Sequence, residues 1–120
     1  MEAASTAIPA IAPQHMRALA HANRVRLARA ELKRAIKTGR ADPADVVRGC
    51  PWQVETMTIG ELLRSQRRWG RARVRKFLSA LALNENRELA RLTERQRTLL
   101  ARALDAKART APRARQLIAA

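Results

Sequence analysis

The most concentrated chemistry in this chain is a run of cations. The segment "RSQRRWGRARVRK", Arg64 to Lys76, holds seven basic residues and no acidic one. It crosses an expected boundary between two helices. One helix should end near Ser65 and another begin near Arg71, with Gly70 as the flexible point between them. Such a junction can bind an anion. The first amides of a helix have no intrahelical acceptor, the helix start carries partial positive charge, and a phosphate oxygen satisfies both. Arg68, Arg71 and Arg73 are then placed to clamp neighbouring oxygens, with Arg75 and Lys76 extending the cluster into the helix. Gly70 would leave room for close approach of the backbone. Trp69 has two readings, an anchor that fixes the turn against a core or a wedge into a nucleic-acid groove.

A second cationic array lies upstream. Between Gln14 and Thr38 there is no Pro or Gly, helix formers dominate, and Gly39 is a suitable stop. One helix of about seven turns is expected. Val25, Ala28, Leu32 and Ile36 share its apolar face. Arg26, Arg29, Lys33, Lys37 and Arg40 follow spacings of three and four on a second stripe. Glu31 is the only acid in this helix, so an ordinary salt-bridged surface is not expected. Arg26, Arg29 and Lys33 therefore join the candidate binding residues.

Other chemistry finds little support. Cys50 is the single cysteine, which excludes a disulfide framework and a cysteine metal cluster and fits a reducing cytosol. His15 and His21 stand six apart, off a common helix face for metal or acid–base work. Glu61 reads as a helix cap and Glu94 as a first-turn residue. No catalytic residue, metal site or cofactor is expected. No run of about 18 apolar residues is present to span a membrane, and the first residues lack the early positive region of a signal peptide.

Composition points to the partner. The 120 residues allow one domain. Formal net charge is +15, from 25 Lys+Arg against 10 Asp+Glu, and self-repulsion of that size implies a polyanionic partner. Trp52, Trp69 and Phe77 are the only aromatics, too few for an interfacial membrane helix or for stacking single-stranded bases. A duplex held by its phosphates fits better. Of the cations, 21 are Arg, which forks onto phosphate oxygens and stays charged. A GC-rich genome would also favour Arg over Lys, but not the charge imbalance.

The remaining elements follow from punctuation. Residues 1–13 read as a disordered arm. Asp42-Pro43 is an N-cap with Pro at the first helical position, opening a short helix that Gly49 and Pro51 should end. Residues 50–57, with Trp52 and Val54, should fold over the core. Thr58 with Glu61, and Thr93 with Gln96, are capping-box patterns. Val74, Leu78 and Leu81 form an apolar face beside Phe77, Asn84 to Asn86 break that helix, and residues 87–91 form a short turn. The last helix should reach about Ala106, followed by a basic flexible tail over 107–120.

Three stretches in order carry a resemblance: "RLARAELKRAI" (Arg26 to Ile36), "IGELLRSQRRWGRARVRKFL" (Ile59 to Leu78) and "RLTERQRTLLARAL" (Arg91 to Leu104). Across roughly residues 22–105 the chain resembles the actinobacterial integration host factor family. The resemblance implies an all-α fold, with a long N-terminal helix (14–40) packed on a helix–two-turns–helix DNA-binding domain (41–106). It implies binding of double-stranded DNA with little sequence preference, DNA bending or condensation at the nucleoid, and support of phage integration or recombination, with a phage integrase or recombinase as the protein partner to look for. A monomer is expected. By resemblance, the turn amides around Gly70 and the side chains of Arg71 and Arg73 take phosphate-contacting positions, Arg68 matches a basic residue before the turn, and Arg87 matches a second basic cluster that Arg91 supplements. Glu88 and Ala90 depart from that cluster, Arg67 stands where a Pro is frequent, and Trp69 replaces Val or Ile. The same motif occurs in a small-subunit ribosomal protein, so RNA or ribosome binding is the alternative. It also occurs in DNA glycosylases of the formamidopyrimidine type, which need an N-terminal catalytic Pro and a zinc finger. Here Pro9 is internal and no Cys pair exists.

Overall fold

The computed structural model describes residues 12–110. Most of the expected disordered arm and the tail beyond residue 110 lie outside the described residues. The elements are α1 (Ala12–Lys37), α2 (Pro43–Gly49), a 3-10 turn (Trp52–Val54), α3 (Ile59–Arg64), α4 (Arg71–Ala80), a second 3-10 turn (Leu89–Arg91) and α5 (Glu94–Thr110). The fold is all-α, a long N-terminal helix on a helical domain, and among the described residues the only β pairing is an isolated antiparallel bridge between Thr58 and Glu88.

Helix ends explain the connections. α1 stops at Gly39, whose φ of 84° is the left-handed conformation that glycine adopts without penalty. The Arg40 N–H then reaches back to the Ala35 carbonyl at 2.8 Å and closes a Schellman motif. Asp42 caps α2 by accepting from the Ala44 N–H at 3.0 Å. The stop of α2 differs from expectation. Gly49 is still helical, and the left-handed residue is Cys50, with φ 42° and its N–H on the Val46 carbonyl. α4 ends in another Schellman motif built on Ala82, φ 58°, with the Leu83 N–H on the Leu78 carbonyl at 2.9 Å and Leu83 buried behind it.

The core explains the packing. Ile36 of α1, Val46 and Val47 of α2, Leu62 and Leu63 of α3, Val74 and Leu78 of α4, and Leu100 and Leu104 of α5 form one buried cluster. α2 packs on α5, α3 on α4, and α1 on the first 3-10 turn. The 84–90 connection runs antiparallel to residues 55–60. The carbonyls of Arg87 and Glu85 accept from Ile59 and Gly60 at the start of α3, each at 2.9 Å. Gly60 permits this approach, since a Cβ there would lie 2.8 Å from the Glu85 carbonyl oxygen.

Boundaries shift in two places. α1 begins at Ala12 rather than Gln14, with Pro13 tolerated in the first turn. α5 continues to Thr110, so Lys107 to Thr110 are helical rather than part of a flexible tail. The run Ala106-Lys107-Ala108-Arg109 contains only good helix formers, and the first proline comes at Pro112. Trp52 is also exposed rather than folded over the core; Val54 alone of that turn is fully buried.

Candidate nucleic-acid interface

Two tight turns separate α3 from α4. The Gln66 N–H bonds the Leu63 carbonyl and the Trp69 N–H bonds the Gln66 carbonyl, both at 3.2 Å. Gln66 Nε2 also donates to the Leu63 carbonyl at 3.1 Å, satisfying a carbonyl at the end of α3. The backbone reverses at Arg68, with φ 70°. A non-glycine residue in this region carries roughly 1–2 kcal/mol of local strain.

Gly70 is therefore not the flexible point of the turn. Its φ of −82° and ψ of −179° are extended backbone that any residue adopts, and a Cβ there would meet nothing within 4 Å. No interaction within the protein requires glycine here. Gly70 is the N-cap of α4 and brings no capping side chain. The first amides of α4 thus open onto an exposed surface with no side-chain acceptor from their cap.

Trp69 is the anchor, not a wedge. Its side chain is 8% exposed, and its ring meets Phe77 edge-on, with centroids 5.1 Å apart and planes at 79°. On its other side the Arg73 guanidinium lies 4.4 Å from the ring centroid, close enough for a cation–π contact. Trp69 thus fixes the turn to the core and holds Arg73 in place. Burial leaves little of its ring for a nucleic acid to contact.

The cations separate into two groups once their partners are counted. Arg67, Arg68, Arg71 and Lys76 are exposed, and no carboxylate pairs with them among the described residues; Arg73 meets Trp69 rather than an acid. Arg75 differs, because its Nε donates to Glu85 Oε2 at 2.9 Å, and Glu85 also pairs with Arg64 at 3.6 Å. The free group is contiguous in sequence across the two turns and the first turns of α4. Arg67, a member of the basic run but not of the expected contact residues, belongs to it.

The α1 stripe looks different in three dimensions. Arg29 Nε donates to the Gln53 carbonyl at 2.6 Å, and its Nη2 bonds Thr56 Oγ1. Lys33 pairs with Glu61. Both cations, expected to face a ligand, instead fasten α1 to the domain. Glu61 is accordingly not the second half of a capping box. Thr58 Oγ1 accepts from the Glu61 N–H at 3.2 Å, but the carboxylate turns to Lys33. Arg26 keeps an outward guanidinium, with only a long contact to Asn23 at 3.4 Å.

The second expected cluster is partly neutralised. Arg87, Arg91 and Glu88 line a shallow groove with Asn84 and Asn86. Arg91 Nε pairs with Glu88 Oε1 at 3.1 Å, and Arg87 Nη2 donates to the Arg91 carbonyl at 3.2 Å. Elsewhere the Arg48 guanidinium is held above its ordinary pKa, first by its hydrogen bond to Asp105; it ties α2 to α5. Among the described residues no group of three or more His, Cys, Asp or Glu could hold a metal ion, and no helix is long and apolar enough to cross a membrane.

No protein-family profile matches the chain, and no curated protein matches it. Among solved structures the chain is similar to sIHF, in a structure of that protein bound to an 8-bp palindromic DNA. The TM-score is 0.64 at 26% sequence identity, over 70% of this chain and 97% of the other. In fold and in sequence the chain is therefore similar to an IHF-type protein.

Proposed function

We propose that this protein is an architectural, largely sequence-independent binder of double-stranded DNA of the integration host factor type, and that the two turns before α4 are its principal contact with the phosphate backbone. The observation that carries this reading is the open N-terminus of α4 beside Arg67, Arg68, Arg71, Arg73 and Lys76, none of them paired with a carboxylate among the described residues. Phosphate oxygens would accept from the first amides of α4 while the arginines fork onto neighbouring phosphates. Gly70 fits the same account. Nothing within the protein needs glycine at that position, whereas a side chain would stand between the amides and an approaching backbone.

The likeness to a protein solved with palindromic DNA supports a duplex partner over RNA. Phosphate contacts position a protein without reading sequence, so weak base discrimination is expected. A role at the nucleoid, DNA bending or condensation, and assistance to a phage integrase or recombinase belong to the same proposal, as do a monomeric state and the absence of enzymatic activity. The division of the chain into a helical arm and a DNA-binding domain over 41–106 is part of it too.

The test is fluorescence-anisotropy binding to two unrelated duplexes and one duplex RNA of equal length, at three salt concentrations. Similar DNA affinities and a log–log salt slope near about −4.5, for roughly five neutralised phosphates, would support the reading. Strong preference for one DNA sequence would replace it with direct base readout. Tighter binding to the RNA would replace it with the ribosomal alternative.

A further inference from the structure

Among the described residues nothing packs on the N-terminal half of α1. The helix is 26 residues long, about 39 Å, but Val25 is its first residue that is even partly covered; residues 13–24 are all exposed. Helical segments of this length are marginal in water when nothing packs on them. This half and the turn after it display large apolar side chains: Met16, Leu19 and Leu27 are 65%, 55% and 61% exposed.

These three are not scattered. At about 100° per residue, Met16 and Leu27 fall within roughly 20° of each other, Leu19 lies about 60° to one side, and the exposed Asn23 stands between them as a polar residue of the same face. The stripe points away from the face that Leu32 and Ile36 bury against the domain. Ala20 lies on it and leaves a gap between the larger side chains, the relief into which a second helix can pack. Arg17 and Arg24 flank one edge and Arg26 the other. No acidic residue occurs from residue 12 to residue 30.

From this arrangement we infer that the outward face of α1 is a docking surface for a protein partner, an amphipathic helix with apolar residues every three or four positions and acidic residues along both flanks. Charge decides the occupant. A second copy of this chain would oppose Arg17, Arg24 and Arg26 with the same three arginines, on two molecules of net charge +15 each. A nucleic acid would satisfy the arginines but leave Met16, Leu19 and Leu27 against phosphate and water. An acidic amphipathic helix satisfies both, since its carboxylates meet the arginine edges while its apolar face covers the stripe. The stripe shares no residue with the turn before α4, so a protein bound to DNA through the turn could hold a protein partner through α1.

The test uses the full chain and two synthetic peptides. One carries leucines at spacings of three and four with flanking glutamates; the other has the same composition scrambled. Methyl NMR of the chain during titration should show saturable shifts at Met16, Leu19 and Leu27 with the amphipathic peptide, and about tenfold weaker binding of the scrambled one. The exposed double variant L19Q/L27Q should keep its circular dichroism and DNA affinity and lose peptide affinity about tenfold or more. Equal binding of both peptides, or unchanged binding by L19Q/L27Q, would reduce the contact to bare charge attraction and overturn the inference. So would a wild-type dimer in sedimentation equilibrium that L19Q/L27Q dissolves, because the occupant would then be a second copy.

Discussion

The basic turn before α4 and the basic stripe of α1 read alike in sequence and behave differently in the fold. Each is a set of cations at close spacing with hardly an acid nearby. In the turn, Arg67, Arg68, Arg71 and Lys76 find no carboxylate and Arg73 rests on an aromatic ring. In α1, Arg29 and Lys33 are drawn to Gln53, Thr56 and Glu61 from distant parts of the chain. The lesson is that local charge density measures what is available to a ligand only after internal partners are subtracted. A helix that must dock on a domain loses part of its cationic face to the docking.

The largest expected effect is at Trp69. If it anchors the turn, Trp69→Ala should destabilise the protein by about 3–5 kcal/mol, read as a lower urea midpoint. A stable Trp69→Ala protein that merely lost DNA affinity would restore the wedge. Next comes Gly70. Because its backbone is extended and its surroundings are empty, Gly70→Glu should leave the free energy of unfolding within about half a kcal/mol of the wild type. A carboxylate at ~4 Å from a phosphate should nonetheless weaken DNA binding by about 1–4 kcal/mol, seen by anisotropy. Gly60→Ala should do the reverse, costing about 1–3 kcal/mol of stability through the 2.8 Å approach to the Glu85 carbonyl. DNA affinity per folded molecule should hold. Smallest of all is Lys33→Ala, which removes a half-exposed ion pair with Glu61 and should cost no more than about 1 kcal/mol in chemical denaturation.

The helices were legible because their ends are written locally. Thr93 and Gln96 form the reciprocal capping box the pattern promises, with Gln96 Oε1 on the Thr93 N–H at 3.0 Å and Thr93 Oγ1 on the Gln96 N–H at 3.1 Å. Asp42 and Gly39 do what their types suggest. Thr58 and Glu61 carry the same signal and deliver half of it, because a lysine 28 positions upstream competes for the carboxylate. The turn itself misleads a local reading. Glycine advertises the flexible point, yet the left-handed residue is Arg68, and Gly70 sits in ordinary extended backbone. The same inversion occurs at Gly49 and Cys50. In each case a residue close to the glycine, not the glycine, takes the left-handed conformation. The cluster of the site was visible in sequence; its membership depended on ion pairs to Glu85 and Glu61 that only the tertiary arrangement creates.

On the proposed reading the turn, not the α1 stripe, holds the phosphates. Its most direct test is the salt dependence of duplex affinity for two double variants, R71A/R73A and R29A/K33A, each confirmed folded by circular dichroism. Loss of two phosphate contacts should flatten the log–log slope by about 1.8 for R71A/R73A and leave R29A/K33A at the wild-type slope. The opposite assignment, an unchanged slope in R71A/R73A and a flattened one in R29A/K33A, would contradict the account.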